Sequence, residues 1–305
     1  MTAATAGDLF KAAGFDLAAL TAKADRRNFK PVALGGYRLK GTIVSNVRPF
    51  ETSNVIATLP GSDPELRDEA VLYTAHHDHL GIGKADETGD AIYNGAVDNA
   101  SGAALLMEMA RVWSASSTKP KRSIIFAAVA AEEQGLLGSL WLGTHPPIPA
   151  GKIAVALNYD AIDPIGRVGD VVMIGAERTT FYPTVQKVAA ASGLTIVPDQ
   201  APEQGSYYRS DHFSVAKAGV PAFSIKHGRS VVGAPAGTGK AWSEEYRRER
   251  YHQPGDEMDA SWSFATAAQM GEFGFQLGLA AASADVLPTW NAGDEFLAAR
   301  QRSMQ

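Results

Sequence analysis

Short helices and edge strands are predicted at the start of the chain. Residues 7–24 have the apolar spacing of one or two short helices, with a break at Gly14. Residues 37–47 and 53–59 then alternate apolar and polar side chains. This alternation is typical of strands at the antiparallel edge of a sheet.

From residue 70 onward, predicted strands alternate with predicted helices. Residues 70–75, AVLYTA, form a continuous apolar run, which is typical of a strand buried on both faces. Further strands are predicted at residues 123–130, 153–159, 171–175, 195–197 and 220–225. Helices are predicted at residues 101–114, 135–142, 180–192 and 261–283. The alternation predicts an α/β fold in which helices cover both faces of a mostly parallel, mixed central sheet.

Composition narrows the chemistry and the class of partner. The 305 residues are 45% hydrophobic and 20% charged, which is ordinary for a globular protein with a large core. A formal net charge of -5 gives no electrostatic reason to expect nucleic acid or an anionic membrane as a partner. The chain has no cysteine, so disulfides, thiolate catalysis and sulfur-ligated metals are excluded. The oligomeric state stays open.

Acidic and histidine side chains follow several of the predicted strands. They are His76, His77, Asp78 and His79 after residues 70–75, Asp98 before the 101–114 helix, Glu132 and Glu133 after residues 123–130, and Asp160 after residues 153–159. Ligands of open α/β sheets bind at the carboxyl ends of strands. Asp98 taken alone is explained as a helix N-cap. Capping does not explain why an acidic or histidine side chain recurs at one strand end after another, because unpaired negative charges gathered in one crevice are costly.

Divalent cations would offset these charges. Imidazole with carboxylate and no thiolate suits Zn²⁺, with Co²⁺ or Mn²⁺ as substitutes, whereas Ca²⁺ and Mg²⁺ sites use oxygen alone. More than one histidine with three or more carboxylates exceeds what a single tetrahedral ion needs. The sequence therefore predicts two ions about 3.5 to 4 Å apart that share a carboxylate.

Six motifs resemble peptidase family M28, the zinc aminopeptidases of the Aeromonas and Streptomyces type. In chain order they are AHHD at 75–78, GAVDNASG at 95–102, AEEQG at 131–135, NYD at 158–160, RSDH at 209–212 and YHQP at 251–254. The resemblance implies the fold of the zinc-dependent exopeptidases, which is also called phosphorylase/hydrolase-like. It also implies a two-zinc aminopeptidase that hydrolyses the N-terminal residue from peptide substrates.

The resemblance assigns a metal-ligating role to five residues. His76 and Asp160 would bind one ion, Glu133 and His252 the other, and Asp98 would bridge both. Each ion would keep an open position for water or substrate. His77 and His79 are not assigned to the ligand set.

The resemblance also assigns catalytic and substrate-binding roles. Glu132 would be the general base that takes a proton from metal-activated water, because a carboxylate that is free of metal is the better base. Tyr251 would donate a hydrogen bond to the oxyanion, or else is a core aromatic beside a ligand. Arg209 would orient the substrate, or else is a solvated charge.

Two further acidic residues are expected to support the ligands. Asp78 lies two residues beyond His76 in an extended chain, so it would point the same way and accept the second N–H of that imidazole. Asp211 is assigned to a supporting or structural role, since the five ligand places are already filled.

The domain organisation is predicted from the same resemblance. Residues 1–24 are expected to be a helical N-terminal segment, the tail of a missing inserted domain, and residues 25–305 the catalytic domain. Many longer relatives carry such an insert and a secretion signal, which implies a secreted or periplasmic full-length protein. The first residues lack the basic-then-apolar plan of a signal, and a cytoplasmic location is the alternative.

Alternative functions remain open at this point. The same fold class includes carboxypeptidases and a glutaminyl cyclase, which would keep the metals and change the reaction. A non-catalytic binding module is a third hypothesis, and the presence of every ligand together with Glu132 argues against it. The preferred N-terminal residue is not predicted, because the loops that would line its pocket carry no recognisable pattern.

Overall fold

A computed structural model of the protein describes residues 1–38, 40–47 and 49–305. The chain divides into two compact units, Met1–Phe50 and Glu51–Gln305. The predicted boundary of the catalytic domain after residue 24 stays a prediction. The origin of residues 1–24 in an inserted domain stays a prediction.

The first unit contains helices α1 (Ala3–Ala12) and α2 (Leu17–Ala24) among its described residues. The side chain of Thr2 caps α1 and that of Asp16 caps α2, each by accepting a hydrogen bond from a backbone N–H three residues later. The predicted pair of short helices is thus present.

The strand predicted over residues 37–47 is wrong for the described residues of that stretch, in which the backbone forms no strand. Leu39 lies outside the described residues. Alternation of apolar and polar residues produces a strand only where the backbone finds a hydrogen-bonding partner. Ile43 and Val44 are exposed in this stretch.

The second unit is built from buried strands and the helices that cover them. Its strands are β1 (Val55–Leu59), β2 (Ala70–His76), β3 (Gly81–Ile82), β4 (Ile92–Tyr93), β5 (Ser123–Val129), β6 (Ile153–Asn158), β7 (Asp170–Ile174), β8 (Thr195–Ile196) and β9 (Ala222–His227). Its α-helices are α3 (Ser101–Ala115), α4 (Leu137–Thr144), α5 (Tyr182–Ala191), α6 (His212–Lys217), α7 (Thr238–Glu249), α8 (Ala265–Ala282) and α9 (Leu297–Ser303).

The central sheet of the described chain has seven strands in the order β1-β5-β2-β6-β9-β7-β8. The pairs β5/β2, β2/β6, β6/β9 and β7/β8 are parallel. The pairs β1/β5 and β9/β7 are antiparallel, which places β1 at an antiparallel edge as predicted. Strands β3 and β4 form a separate antiparallel ribbon. The predicted mostly parallel, mixed sheet is confirmed.

The continuous apolar runs are explained by burial on both faces of the sheet. Every residue of β2 and of β6 is buried. One apolar cluster on the sheet contains Trp113 of α3 and Phe273 of α8, and a second contains Trp290 and Phe296. Helices on both faces exclude water, so alternation of polar residues is not needed in these strands.

Helices α6, α7 and α9 were not predicted from the sequence. They are short or strongly charged, and α7 buries only Gly239 and Tyr246. Such segments have too few apolar positions to produce a helical pattern, and tertiary contacts decide their conformation. No helix in the described part of the chain is both long and apolar enough to cross a membrane.

Helix α8 packs closely on the sheet through glycines. The Tyr73 hydroxyl of β2 donates a hydrogen bond of 2.9 Å to the carbonyl of Gly274. A Cβ atom at Gly278 would collide with the same hydroxyl, and it would also lie 3.3 Å from the Trp113 ring. The absence of a side chain at Gly278 therefore sets how near α8 lies to β2.

We expect Gly278→Ala to destabilise the second unit by about 1–3 kcal/mol, because a buried ring must move to admit the methyl group. Gly271→Ala in the same helix is the matched control. The nearest atom to a Cβ there is the end of the flexible Leu105 side chain, at 2.7 Å, and the other neighbours are at ordinary van der Waals distance. Urea unfolding measures both variants, and equal midpoints for the two would contradict this account of the packing.

Candidate metal centre and catalytic site

The parallel strands β2, β5 and β6 bring the predicted site residues to one edge of the sheet. His76 is the last residue of β2. Glu132 and Glu133 come soon after β5, which ends at Val129, and Asp160 comes soon after β6, which ends at Asn158. Carboxyl ends of neighbouring parallel strands meet at the same edge, so these side chains lie together.

Two groups of ligand atoms meet at Asp98. His76 Nε2 lies 3.2 Å from Asp98 Oδ1 and 3.5 Å from Asp160 Oδ1. His252 Nε2 lies 3.4 Å from Asp98 Oδ2 and 3.1 Å from Glu133 Oε2. Each oxygen of Asp98 thus faces a different imidazole. The structure brings together all five residues of the predicted ligand set.

The spacing and the bonding of these atoms fit zinc. Ligands about 2.0–2.2 Å from a tetrahedral ion lie about 3.4 Å from one another, close to the measured separations. His76 Nε2, His252 Nε2 and Glu133 Oε1 are buried and have no hydrogen-bond partner among the described residues. Buried polar atoms in proteins nearly always have a hydrogen-bond partner. Three neighbouring buried atoms without one therefore fit a site for a metal ion.

The pKa values of the site reflect its excess of negative charge. Burial opposes protonation of His76, but the carboxylates of Asp160 and Asp98 raise its pKa to about 12. Asp98 and Glu133 raise the pKa of His252 to about 9. Burial, followed by the charge of Asp160, raises the pKa of Glu132 to about 9. All three shifts favour a bound proton or another cation in the site.

Asp98 is aimed by a buried carboxylate that the sequence analysis missed. Asp256 is fully buried. It accepts hydrogen bonds from the backbone N–H groups of Val97 at 3.0 Å and of Asp98 at 3.1 Å. The hydroxyl of Tyr246 donates a third, at 3.0 Å. Asp256 occurs only four residues after His252, but no sequence pattern marks a carboxylate that binds backbone amides.

Asn99 is the residue that caps helix α3. Its Oδ1 accepts from the N–H of Gly102 at 3.0 Å and from that of Ala161 at 3.1 Å. Its amide group donates to the carbonyl of Tyr159 at 3.0 Å. Since Asn99 satisfies the helix, the carboxylate of Asp98 is free to face the two imidazoles.

The predicted role of Asp78 is corrected by the structure. His76 Nδ1 lies 2.9 Å from the backbone carbonyl of Asp78 and does not contact its carboxylate. The carboxylate accepts instead from the N–H of Ala131, at 2.8 and 2.9 Å. The chain leaves the extended conformation after His76, so the side chain two residues on points elsewhere. Asp78 thereby positions the turn that carries Glu132.

Asp160 is held by Ser210, a residue to which the sequence assigned no separate role. Ser210 donates a 2.6 Å hydrogen bond to Asp160 Oδ2 and accepts one of 2.9 Å from the Asn158 side chain. The Thr74 hydroxyl donates to Asn158 at 2.7 Å. The carboxylate of Asp211 is buried without a hydrogen bond among the described residues, and burial raises its pKa to about 7.

A cavity of about 950 Å³ opens over these ligands, and Glu132, Tyr251 and Arg209 line it. The ring of Tyr251 stacks on that of His252 with centroids 3.8 Å apart. Burial and the charge of Asp98 raise the pKa of Tyr251 above its ordinary value, so its hydroxyl keeps its proton. The roles of Tyr251 and Arg209 toward a substrate stay predictions.

His77 and His79 have opposite environments. His77 is exposed, and its Nε2 lies 3.1 Å from the carbonyl of Ser53, well away from the ligands. The side chain of His79 is only 5% exposed, and its Nδ1 lies 2.8 Å from Glu133 Oε1. The position of His79 beside Glu133 was not predicted from the sequence.

Residues 54–275 match peptidase family M28. The chain belongs to this family. The matched stretch contains every residue of the predicted ligand set, the predicted base Glu132 and the supporting residues Ser210 and Asp256.

Curated relatives of this M28 chain share part of its length. A "Probable zinc metalloprotease" of Pyrenophora teres f. teres is 39% identical over 114 residues, which are 37% of this chain and 23% of the relative. One of Pyricularia oryzae is 35% identical over 139 residues, which are 43% of this chain and 26% of the relative. The matched part of the chain thus spans about a quarter of each relative's length.

Solved structures share the fold of the M28 chain. LapA aminopeptidase of Legionella pneumophila has a TM-score of 0.54 at 20% identity, over 76% of this chain and 54% of that one. A zinc aminopeptidase of Bacillus subtilis has a TM-score of 0.55 at 21% identity, over 80% and 53%. Glutaminyl cyclase of Porphyromonas gingivalis has a TM-score of 0.51 at 19% identity, over 73% and 76%.

We expect zinc uptake by this M28 chain to release protons. In protein stripped of metal, His76 with a pKa of about 12 and His252 with a pKa of about 9 are protonated at neutral pH. Zinc binds neutral imidazole, so each of the two must lose its proton on binding. The affinity for zinc should therefore rise as the pH increases toward 9.

Calorimetry in buffers of different ionisation enthalpy measures the released protons. His76→Asn should release fewer protons than the wild type. His145→Asn is the control, because His145 stacks on Trp141 outside the site and should leave the release unchanged. A zinc affinity that stays constant from about pH 6 to pH 8 would contradict the assignment of these imidazoles.

Proposed function

We propose that this chain is a two-zinc aminopeptidase that hydrolyses the N-terminal residue from peptides. Membership of peptidase family M28 supports a metallopeptidase, and the names of the curated relatives support zinc. The aminopeptidases among the structural neighbours support cleavage of the peptide bond after the N-terminal residue. Their identity to this chain is too low to carry more than the fold, so the substrate is part of the proposal.

One observation carries the proposal. The two oxygens of Asp98 face two different imidazoles, at 3.2 Å for His76 and 3.4 Å for His252. A single carboxylate between two sets of unpartnered ligand atoms is the arrangement that holds a pair of ions. A structural ion pair would instead leave the buried atoms satisfied.

The bound ions would supply a water molecule activated for attack and would polarise the scissile carbonyl. Glu132 lines the cavity, and burial followed by the charge of Asp160 raises its pKa to about 9 in the metal-free protein. Bound ions would add positive charge beside Glu132 and lower that pKa, so the ionised carboxylate would accept the proton of the attacking water and pass it to the leaving amine. Tyr251 keeps its hydroxyl proton and donates a hydrogen bond to the oxyanion.

Arg209 binds the peptide beyond the scissile bond in this proposal. It lines the same cavity as Glu132 and Tyr251. The alternatives are a carboxypeptidase and a glutaminyl cyclase, and the second is favoured by the fold shared with the Porphyromonas gingivalis enzyme. Both alternatives use the same ligands and differ in which end of the peptide is held.

Blocked peptides separate these reactions. With two equivalents of zinc, we expect the protein to hydrolyse aminoacyl-arylamides and dipeptides, to reject N-acetylated peptides and to accept C-amidated ones. Cleavage of N-acetylated but not C-amidated peptides would establish a carboxypeptidase instead. Release of ammonia from N-terminal glutaminyl peptides would establish a cyclase. If the protein binds zinc but turns over none of these substrates, it is a non-catalytic binding module.

Replacing the proposed base should separate chemistry from metal binding. We expect Glu132→Gln to lower kcat by about 10²- to 10⁴-fold, because the amide cannot accept the proton of water. Its zinc content should match that of the wild type. Glu272→Gln, an exposed site on α8, is the matched control and should keep full activity. Full activity of Glu132→Gln would sink the assignment of the base.

Tyr251→Phe tests whether the hydroxyl or only the ring of Tyr251 matters. Phenylalanine keeps the stack on His252 and removes the hydrogen-bond donor. We expect kcat to fall by about 10²-fold with KM and zinc content near wild-type values, because the donor acts on the transition state. Tyr182→Phe in α5 serves as the control. A wild-type kcat for Tyr251→Phe would reduce Tyr251 to a packing role.

A further inference from the structure

We infer that His79 is an additional protein ligand of the ion held by Asp98, Glu133 and His252, and that it binds through Nδ1. The inference rests on the proposed zinc function. Ligand atoms of His79, Asp98 and Glu133 all lie within 4.8 Å of one another. The side chains of His79 and Glu133 are 5% and 7% exposed. Neither is a surface group that could point into solvent instead.

His79 and Glu133 are in close contact, but neither of the two atoms that meet has a hydrogen-bond partner among the described residues. Nδ1 of His79 and Oε1 of Glu133 lie 2.8 Å apart. Both atoms are nevertheless buried without a hydrogen-bond partner among the described residues. A hydrogen bond aims the N–H at the oxygen, whereas metal ligation aims both lone pairs at a third point. His79 Nδ1 and Glu133 Oε1 thus lie side by side with their bonding capacity unused, in a group of His79, Asp98 and Glu133 that could hold an ion.

Each of the two carboxylate oxygens of Glu133 lies beside a different imidazole. Oε1 lies beside His79, and Oε2 lies 3.1 Å from His252 Nε2. The rings of His79 and His252 meet edge to face with centroids 5.5 Å apart. Two imidazoles that flank one carboxylate in this way converge on the same space.

The turn that carries Asp98 has room for the His79 ring because of Gly95. Gly95 has a φ of 64°, in the left-handed region that favours glycine. A Cβ atom at Gly95 would lie 2.6 Å from Cγ of His79. The ring therefore rests against the backbone of the turn, at the start of the segment that presents Asp98. Its other nitrogen, Nε2, is also buried without a partner among the described residues.

A further ligand makes the two ions unequal. The first ion has His76, Asp160 and the shared Asp98, and three protein ligands leave a position for water or substrate. The second has Asp98, Glu133, His252 and His79, a full tetrahedral set. The second ion would therefore be held more tightly, and the first would keep the open position for water or substrate.

Cobalt provides a direct count of the imidazoles. In the full chain loaded with two equivalents of Co²⁺, each ligated imidazole contributes a hyperfine-shifted, exchangeable N–H signal to the proton spectrum. We expect His79→Gln to lose one such signal. It should also bind one of the two Co²⁺ equivalents about 10- to 100-fold more weakly by calorimetry, with the other unchanged. His77→Gln, at the neighbouring exposed position, is the matched control and should keep every signal.

A second measurement needs no variant. X-ray absorption of the wild type with two zinc ions should give about one and a half imidazoles per zinc with His79 bound, and about one without it. A His79→Gln spectrum with all signals, or about one imidazole per zinc, would overturn the inference while leaving the zinc enzyme in place. Failure of the wild type to bind either metal would instead overturn the proposed function.

Discussion

Negative charge gathered in a buried crevice is the constraint on which the site depends. Largely buried carboxylates from the ends of β5 and β6 and from the turn before α3 lie within a few ångströms of the same two imidazoles. Two imidazoles lie among them, and their raised pKa values record how strongly the crevice favours a positive charge. A proton can satisfy that demand only in part, because several buried ligand atoms still have no partner among the described residues. Divalent ions would both offset the negative charge and bind the unpartnered atoms.

The precision of the site comes from polar side chains that bind the backbone. Asp256 holds the amides of Val97 and Asp98, and Asp78 holds the amide of Ala131 before Glu132. Each fixes where a ligand-bearing segment leaves its strand or turn. Ser210 does the same for the carboxylate of Asp160 by a direct hydrogen bond. These hydrogen bonds help to hold segments remote in sequence within a few ångströms of Asp98. Metal ligands bind well only when neighbouring groups constrain their orientation.

Much of the fold followed from local pattern. The strand β2 and helix α3 appear close to where the apolar spacing predicted them, because a buried parallel strand or an amphipathic helix must be apolar in that way. The stretch over residues 37–47 failed as a strand in its described residues, and the charged helix α7 was missed. In both segments the backbone conformation depends on contacts with residues elsewhere in the chain. The spacing of apolar residues within the segment cannot predict those contacts.

The sequence by itself determined the chemistry of the centre. Histidine and carboxylate without cysteine, repeated at strand ends and matching six motifs, predicted the ligand types and proposed Glu132 as the base. Only the tertiary structure decided which neighbour supports which residue: Ser210 for Asp160, a backbone carbonyl where the Asp78 carboxylate was expected, and His79 beside Glu133. The physical reason is that motif spacing defines which groups are present, whereas hydrogen-bond direction depends on how the chain turns after each strand ends.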